Sequence, residues 1–227
     1  MTTVALEKIT NPLDRRRYDD ACGTAHALEL IGERWALLVL RELMLGPRRF
    51  SELRADLPGL SANVLIQRLT ELEQRGLVRR RRLPPPAGVQ VYEATEWGLE
   101  AEPIVQALGR WAARSPRHDP TLPISAVSIL LSFRTMIDAA RAQGIAATIN
   151  FRFADDRYVA RIEDGGIAVH AGEEAGADLI ISAAPAALAA VVYGGQPLDL
   201  IEIHGDKALA KRFVTLFPLP LKVATAG

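Results

Sequence analysis

The chain is short of most features that mark a catalyst or a membrane protein. It has one cysteine, Cys22, in 227 residues, so an internal disulfide is excluded and a reducing compartment, the cytoplasm, is expected. No run of about 18 uncharged apolar residues occurs, which argues against a membrane-spanning helix. The opening stretch MTTVALEKITNPLDRRRYDD lacks the hydrophobic core of a secretory leader. His26, His118, His170 and His204 are scattered, without the spacing of metal ligands. There is no glycine-rich phosphate loop, no serine in a nucleophile elbow, and no pair of carboxylates placed for catalysis. The reading is of a non-enzyme with no metal and no cofactor. Charge of neither sign is in excess, since 27 Lys and Arg balance 27 Asp and Glu. Residues 1–117 nevertheless hold 18 basic against 15 acidic side chains, and residues 118–227 hold 9 against 12. Any contact with a polyanion is therefore expected in the first half, and to be local.

What is there begins with Trp35–Arg82, two short amphipathic segments joined by the turn Pro58-Gly59-Leu60. Ser61 is placed to cap the second segment. Leu65, Leu69 and Leu72 recur at helical spacing and share one face. At about 100° per residue, Asn63, Gln67, Thr70 and Gln74 face the other way. That face is rich in amides, which pair with the N6/N7 edge of adenine. Arg68 lies on the flank, within reach of a phosphate or of its own fold. Gly76 suits the left-handed residue after a helix end. Four arginines, Arg79, Arg80, Arg81 and Arg82, follow on a predicted strand; Pro84-Pro85-Pro86-Ala87-Gly88 makes a tip, and Val89–Ala94 alternates back as a second strand. A basic hairpin directly after an amide-lined helix has the layout of a wing beside a recognition helix. Arg48 and Arg49, before the first helix of the motif, are further phosphate-contact candidates.

These residues resemble the HxlR family of bacterial winged-helix regulators, which is similar to the MarR family. The resemblance runs from Cys22 to Trp111 and rests on Gly32–Leu43, Gly46–Leu53, Gly59, Ser61, Asn63, Leu65, Arg68-Leu69, Glu71-Leu72, Gly76-Leu77-Val78 and Tyr92–Gly98. It implies a homodimer, paired through terminal helices, on a pseudo-palindromic double-stranded DNA operator. It also implies a redox-sensing candidate, Cys22, which some members of the family use against oxidants or electrophiles. Arg15-Arg16-Arg17 nearby would favour a thiolate there. Two departures are Gly23, where the family often has proline, and the proline-rich wing tip.

The helix predicted for residues 96–114 carries an apolar stripe of Leu99, Pro103, Ile104, Ala107, Leu108 and Trp111, a dimer surface or a buried face. Trp35, Leu38, Val39 and Leu43 are expected inside a helix spanning residues 34–45. Three prolines in Ser115–Pro123 predict a stiff, extended linker. Beyond it, residues 124–142 read as one helix. Ala147–Phe153, Arg157–Glu163 and Gly166–Ala171 alternate as strands, Asp178–Ser182 is a short apolar strand, Pro185 opens a helix ending at Gly194-Gly195, and residues 207–217 form a last helix. This order resembles a sterol-carrier-protein-like domain over Pro123–Val223. It implies ligand-pocket candidates Phe133, Met136, Ile137, Leu188, Val191, Val192, Leu209, Phe213 and Phe217, although each taken singly reads first as core.

The expected architecture is α+β: a winged helix-turn-helix domain over residues 1–115, a proline-rich linker over 116–123, and a sterol-carrier-like α+β domain with a mainly antiparallel sheet over 124–227. The expected function is a cytoplasmic, homodimeric DNA-binding transcriptional regulator, read as a repressor, with no membrane partner. The second domain would bind a hydrophobic small-molecule effector or stabilise the dimer. The alternatives are a thiol-based sensor acting through Cys22, and a lipid-binding carrier whose DNA domain no longer functions.

Overall fold

Capping side chains fix where two helices of the first half begin. The computed structural model describes residues 18–224; Arg15-Arg16-Arg17 lie outside the described residues. The first half runs α1 (Gly23–Ile31), α2 (Ala36–Glu42), α3 (Phe50–Asp56), α4 (Ala62–Gln74), the hairpin β1 (Val78–Arg82) and β2 (Gln90–Ala94), α5 (Glu96–Leu99) and α6 (Glu102–Ala112). Ser61 Oγ accepts from Val64 N at the start of α4, and Thr95 Oγ1 accepts from Gly98 N at the start of α5. Gly98 is required by contact: a Cβ there would lie 2.1 Å from Leu77 O, where α5 presses on the entry to β1. The helix expected over residues 96–114 is two, α5 and α6, with Pro103 in the first turn of the second.

The second half runs α7 (Ala126–Met136), α8 (Ala139–Ala142), β3 (Ala147–Phe153), β4 (Asp156–Glu163), β5 (Gly166–Ala171), β6 (Leu179–Ser182), α9 (Pro185–Gly194), β7 (Glu202–Gly205) and α10 (Lys207–Phe213). Its sheet has the order β5-β4-β3-β6-β7, antiparallel throughout except for the parallel β3–β6 pair. The chain is thus a mixed α+β protein. Two differences from expectation have local causes. The helix expected over 124–142 breaks at Ile137, which is extended at ψ 131°, and Asp138 starts α8 by accepting from Ala140 N and Arg141 N. The segment 115–123 is folded into turns, not extended. Lys222 Nζ gathers it by donating to Ala113 O and Ser115 O at 3.0 Å and to His118 O at 3.3 Å.

The buried side chains form one continuous cluster across both halves. Leu40, Leu53, Leu65, Leu69 and Leu72 fill the first; Phe133, Phe151, Phe213 and Phe217 fill the second. Val39 and Leu43 are buried as expected, Trp35 is half-buried, and Leu38 is exposed, its place inside taken by Leu40. Between the halves α6 packs on α7. Arg134 Nη1 donates to Glu102 Oε2 at 3.0 Å, and Arg110 donates to Thr135 O.

A buried polar cluster completes that seam. Arg48 Nη1 spans both oxygens of Asp156, at 2.7 and 2.8 Å, while Nη2 donates to Tyr158 Oη. Glu42 is fully buried at 0% exposure; its Oε1 accepts from Ser125 Oγ at 2.9 Å and from Arg41. Nearby Asp56 is pushed up to about 6, first by burial and then by the Glu42 charge. Removing a buried partner strands the other charge. Asp156→Ala should therefore lower stability by about 2 kcal/mol in urea unfolding, below the roughly 3–5 kcal/mol of a fully enclosed pair because Asp156 keeps some water. Asp56 holds its proton more tightly folded than unfolded, so its contribution is complete below about pH 4 and is lost as pH rises through 6. Asp56→Asn should melt at a higher temperature than the parent at pH 7.5, and the gap should close by pH 4.

Candidate nucleic-acid interface

Helix α4 turns two unlike faces outward and inward. Leu65, Leu69 and Leu72 are buried, while Asn63, Gln67, Thr70 and Gln74 are all exposed. Gln67 Nε2 donates to Glu71 Oε1 at 3.0 Å, which steadies the amide along the helix. Ile66, also exposed at 52%, is an apolar group on the same surface that the amide pattern did not single out. Ser61 is occupied as the helix cap.

The wing follows at once. In β1–β2, Arg79 stands opposite Glu93, Arg80 opposite Tyr92, Arg81 opposite Val91 and Arg82 opposite Gln90. All four arginines are exposed. Side chains alternate along a strand, so Arg79 and Arg81 share one face and Arg80 and Arg82 the other. Arg80, Arg81, Arg82, Gly88 and Gln90 line a shallow groove at the outer end of the hairpin. Arg82 Nε donates to Gly88 O at 2.7 Å, tying its strand to the tip. Arg79 and Arg81 both donate to Glu93, a residue the sequence pattern did not single out. The alternation of the two strands was the signal available for it.

Of three other arginines, one is exposed and two are buried. Arg49 is exposed beside Glu52. Arg48 does not face solvent. It is buried at 6% exposure, its side chain is spent on Asp156 and Tyr158, and its backbone N and O pair with Tyr92 O and N at 2.8 Å. Arg68 is likewise corrected from a phosphate contact to an internal tether. It is 5% exposed, with Nη1 2.6 Å from Glu71 Oε2 and 3.2 Å from Glu33 Oε2. A carboxylate distant in sequence supplies the reason for Arg48; for Arg68 it is Glu71 one turn along the helix together with the more distant Glu33.

Other candidates fall into two groups. Cys22 is exposed at the start of α1, and backbone hydrogen bonds from Ala25 and then Thr24 draw its thiol below the usual range. The apolar set of the second half is packed ring on ring. Phe133 stacks on Phe217 at 4.4 Å between centroids, meets Phe213 edge-on at 5.4 Å, and Phe213 meets Phe217 at 5.0 Å. Met136, Leu188 and Val191 are buried with them, and Ile137, Val192 and Leu209 lie half-buried at the margin. On α6, Ile104, Leu108 and Trp111 remain exposed, Trp111 at 73%. Among the described residues no helix is long and apolar enough to cross a membrane.

Residues 30–119 match the profile of the HxlR-like helix-turn-helix family. The chain is 43% identical over 94 residues to the uncharacterized HTH-type transcriptional regulator YkvN of Bacillus subtilis (strain 168), covering 40% of this chain and 77% of that protein. It is 38% identical over 86 residues to the HTH-type transcriptional regulator YodB of the same organism, covering 38% of this chain and 77% of that one. The solved reduced form of YodB aligns at 34% identity with a TM-score of 0.39, over 44% of this chain and 100% of that one.

Proposed function

The chain belongs to the HxlR-like helix-turn-helix family of DNA-binding transcriptional regulators, and from that premise we propose that it acts as a dimeric repressor. In this reading α4 enters the major groove and the β1–β2 wing grips the backbone beside it. The observation that carries it is a pair of exposed chemistries on consecutive elements: Asn63, Gln67 and Thr70 on α4, then four arginines on β1. Amides read base edges, whereas guanidinium groups neutralise phosphates and release counterions. Arg49 joins the backbone contacts; Arg48 and Arg68 do not, because each is internally paired. The exposed apolar stripe of α6 is the proposed pairing surface between copies. For the second half, which in element order is similar to a sterol-carrier domain, we favour a stabilising role over an effector-holding one. An apolar ligand would have to displace the Phe133–Phe213–Phe217 contacts to enter.

A second reading, a thiol sensor, is favoured by Cys22. The residue is exposed, its thiolate is promoted, and its helix is tied to α4 at the far end by Arg75 Nη1 donating to Leu30 O at 2.8 Å. Modification of the thiol would shift α1 and carry α4 with it, disturbing the spacing of two recognition helices across a dimer. If so, a diamide- or quinone-treated sample should release DNA and Cys22→Ser should not; release from both would place the sensor elsewhere.

The main reading is tested with a 30-base-pair duplex recovered by the protein from a random pool, against a scrambled duplex. Asn63→Ala and Gln67→Ala should each lower the preference for the selected duplex by about tenfold, the loss of roughly one bidentate base contact. Arg80→Ala and Arg82→Ala should weaken both duplexes alike and reduce the slope of log affinity against log salt by about 1 each. Binding to neither duplex by the parent protein would overturn the reading.

A further inference from the structure

A carboxylate beside a DNA-binding wing is out of place on simple electrostatic grounds, since it repels the phosphates the arginines attract. Glu93 occupies that position. It lies on the same face of the hairpin as Arg79 and Arg81, and it is 8% exposed while their side chains are 66% and 41% exposed. Its two oxygens are divided between them: Oε1 accepts from Arg79 Nε and Oε2 from Arg81 Nε, each at 2.5 Å. Burial pushes the Glu93 carboxyl up, and the hydrogen bonds from Arg81 and Arg79 more than reverse this, holding it below the usual range.

The atoms used matter more than the charge. Both contacts run through Nε, the nitrogen nearest the chain, and among the described residues no second acceptor engages either guanidinium. The Nη pair at the far end of each side chain is therefore left open, and that pair forms the fork which meets a phosphate with two parallel bonds. The two Cα atoms stand about 6.8 Å apart, two residues along one strand. Arginine loses much side-chain freedom when it is fixed by a ligand, and holding it beforehand removes that loss from binding. Arg80 and Arg82, on the opposite face, have no such shared anchor: Arg82 donates to a backbone carbonyl, and Arg80 lies 3.9 Å from Glu73.

We infer that Glu93 is a positioning residue for DNA binding: it anchors Arg79 and Arg81 by their Nε atoms as a paired fork, so that both meet the phosphate backbone already ordered. This deepens the DNA-binding reading and rests on it.

The two accounts of Glu93 differ in sign. If its charge is what matters, Glu93→Gln removes a repulsion and DNA binds more tightly. If anchoring is what matters, Glu93→Gln binds more weakly although the protein has become more positive. The test is fluorescence anisotropy of the full chain with the selected and scrambled duplexes. The expected loss for Glu93→Gln is about 5- to 10-fold on both duplexes, the effect of leaving two arginines to be ordered on binding. Glu93→Asp keeps the charge and withdraws the carboxylate by one methylene; it should lose a similar factor, and it decides the matter should the glutamine variant fail to fold. In an Arg79→Ala/Arg81→Ala background the same Glu93→Gln change should give no loss. Tighter or unchanged binding by a folded Glu93→Gln, or parental affinity for Glu93→Asp, overturns the inference alone. Failure of the parent protein to bind either duplex overturns the DNA-binding reading beneath it, so the two failures are distinguishable.

Discussion

Arg48 joins two sheets through one residue. Its backbone pairs in both directions with Tyr92, making it a third, single-residue strand of the wing, and its guanidinium spans Asp156 at the start of β4 and reaches Tyr158. A buried guanidinium without a carboxylate would be heavily penalised, so the first half is tolerable in this form only with the second half docked against it. Tyr92 in turn stands opposite Arg80 in the hairpin. The wing is thereby held from behind by β4 of the second sheet.

The wing divides its arginines by strand parity. A run of four identical residues reads as a uniform basic patch, yet alternation sends two to each face, and only one face carries a carboxylate. The same alternation buries Val91 beside Glu93 on that face, while the other is rooted at its base by buried Val78 and opens around Gly88 and Gln90 toward the tip. A hairpin arranged this way combines a stiff basic edge with an adaptable one.

Local signals made the DNA-facing half legible in sequence. Ser61 begins α4 because its hydroxyl satisfies a backbone N–H three residues on, and the leucines at helical spacing decide which face is left outside; neither needs knowledge of anything distant. The ends of the wing follow from prolines and glycines in the same way. What escaped was set at long range. Arg48 looks like its exposed neighbours in sequence, and only Asp156, 108 positions away, marks it as internal; Arg68 has a local partner in Glu71, joined by the more distant Glu33. The linker prolines suggested extension because Lys222, which folds the segment back, comes a hundred residues later. Leu38 and Leu40 exchange inside and outside because the preceding Trp35, at φ 78°, resets the phase of α2. The strand β7 was missed because Glu202-Ile203-His204-Gly205 has a single apolar residue and becomes a strand only by pairing with β6.

One continuous core under both halves restricts where a signal can enter. A change among Phe133, Phe213 and Phe217 has to break contacts that the whole second half shares, and packed interiors resist such graded adjustment. Helix α1 meets this core through half-buried Leu30 and Ile31 at its far end, while its start, at Cys22, is open to solvent. Its far end is not free, since Arg75 at the end of α4 donates to Leu30 O and Arg68 within α4 pairs with Glu33 just beyond α1. In the thiol-sensor reading, an element open at one end and fastened to α4 at the other would act as a lever. A ligand or modification shifts a conformational balance only through differential interaction with the two states. In the thiol-sensor reading the α1–α4 junction is where such a difference would arise, whereas the Arg48–Asp156 junction ties the wing to the second half.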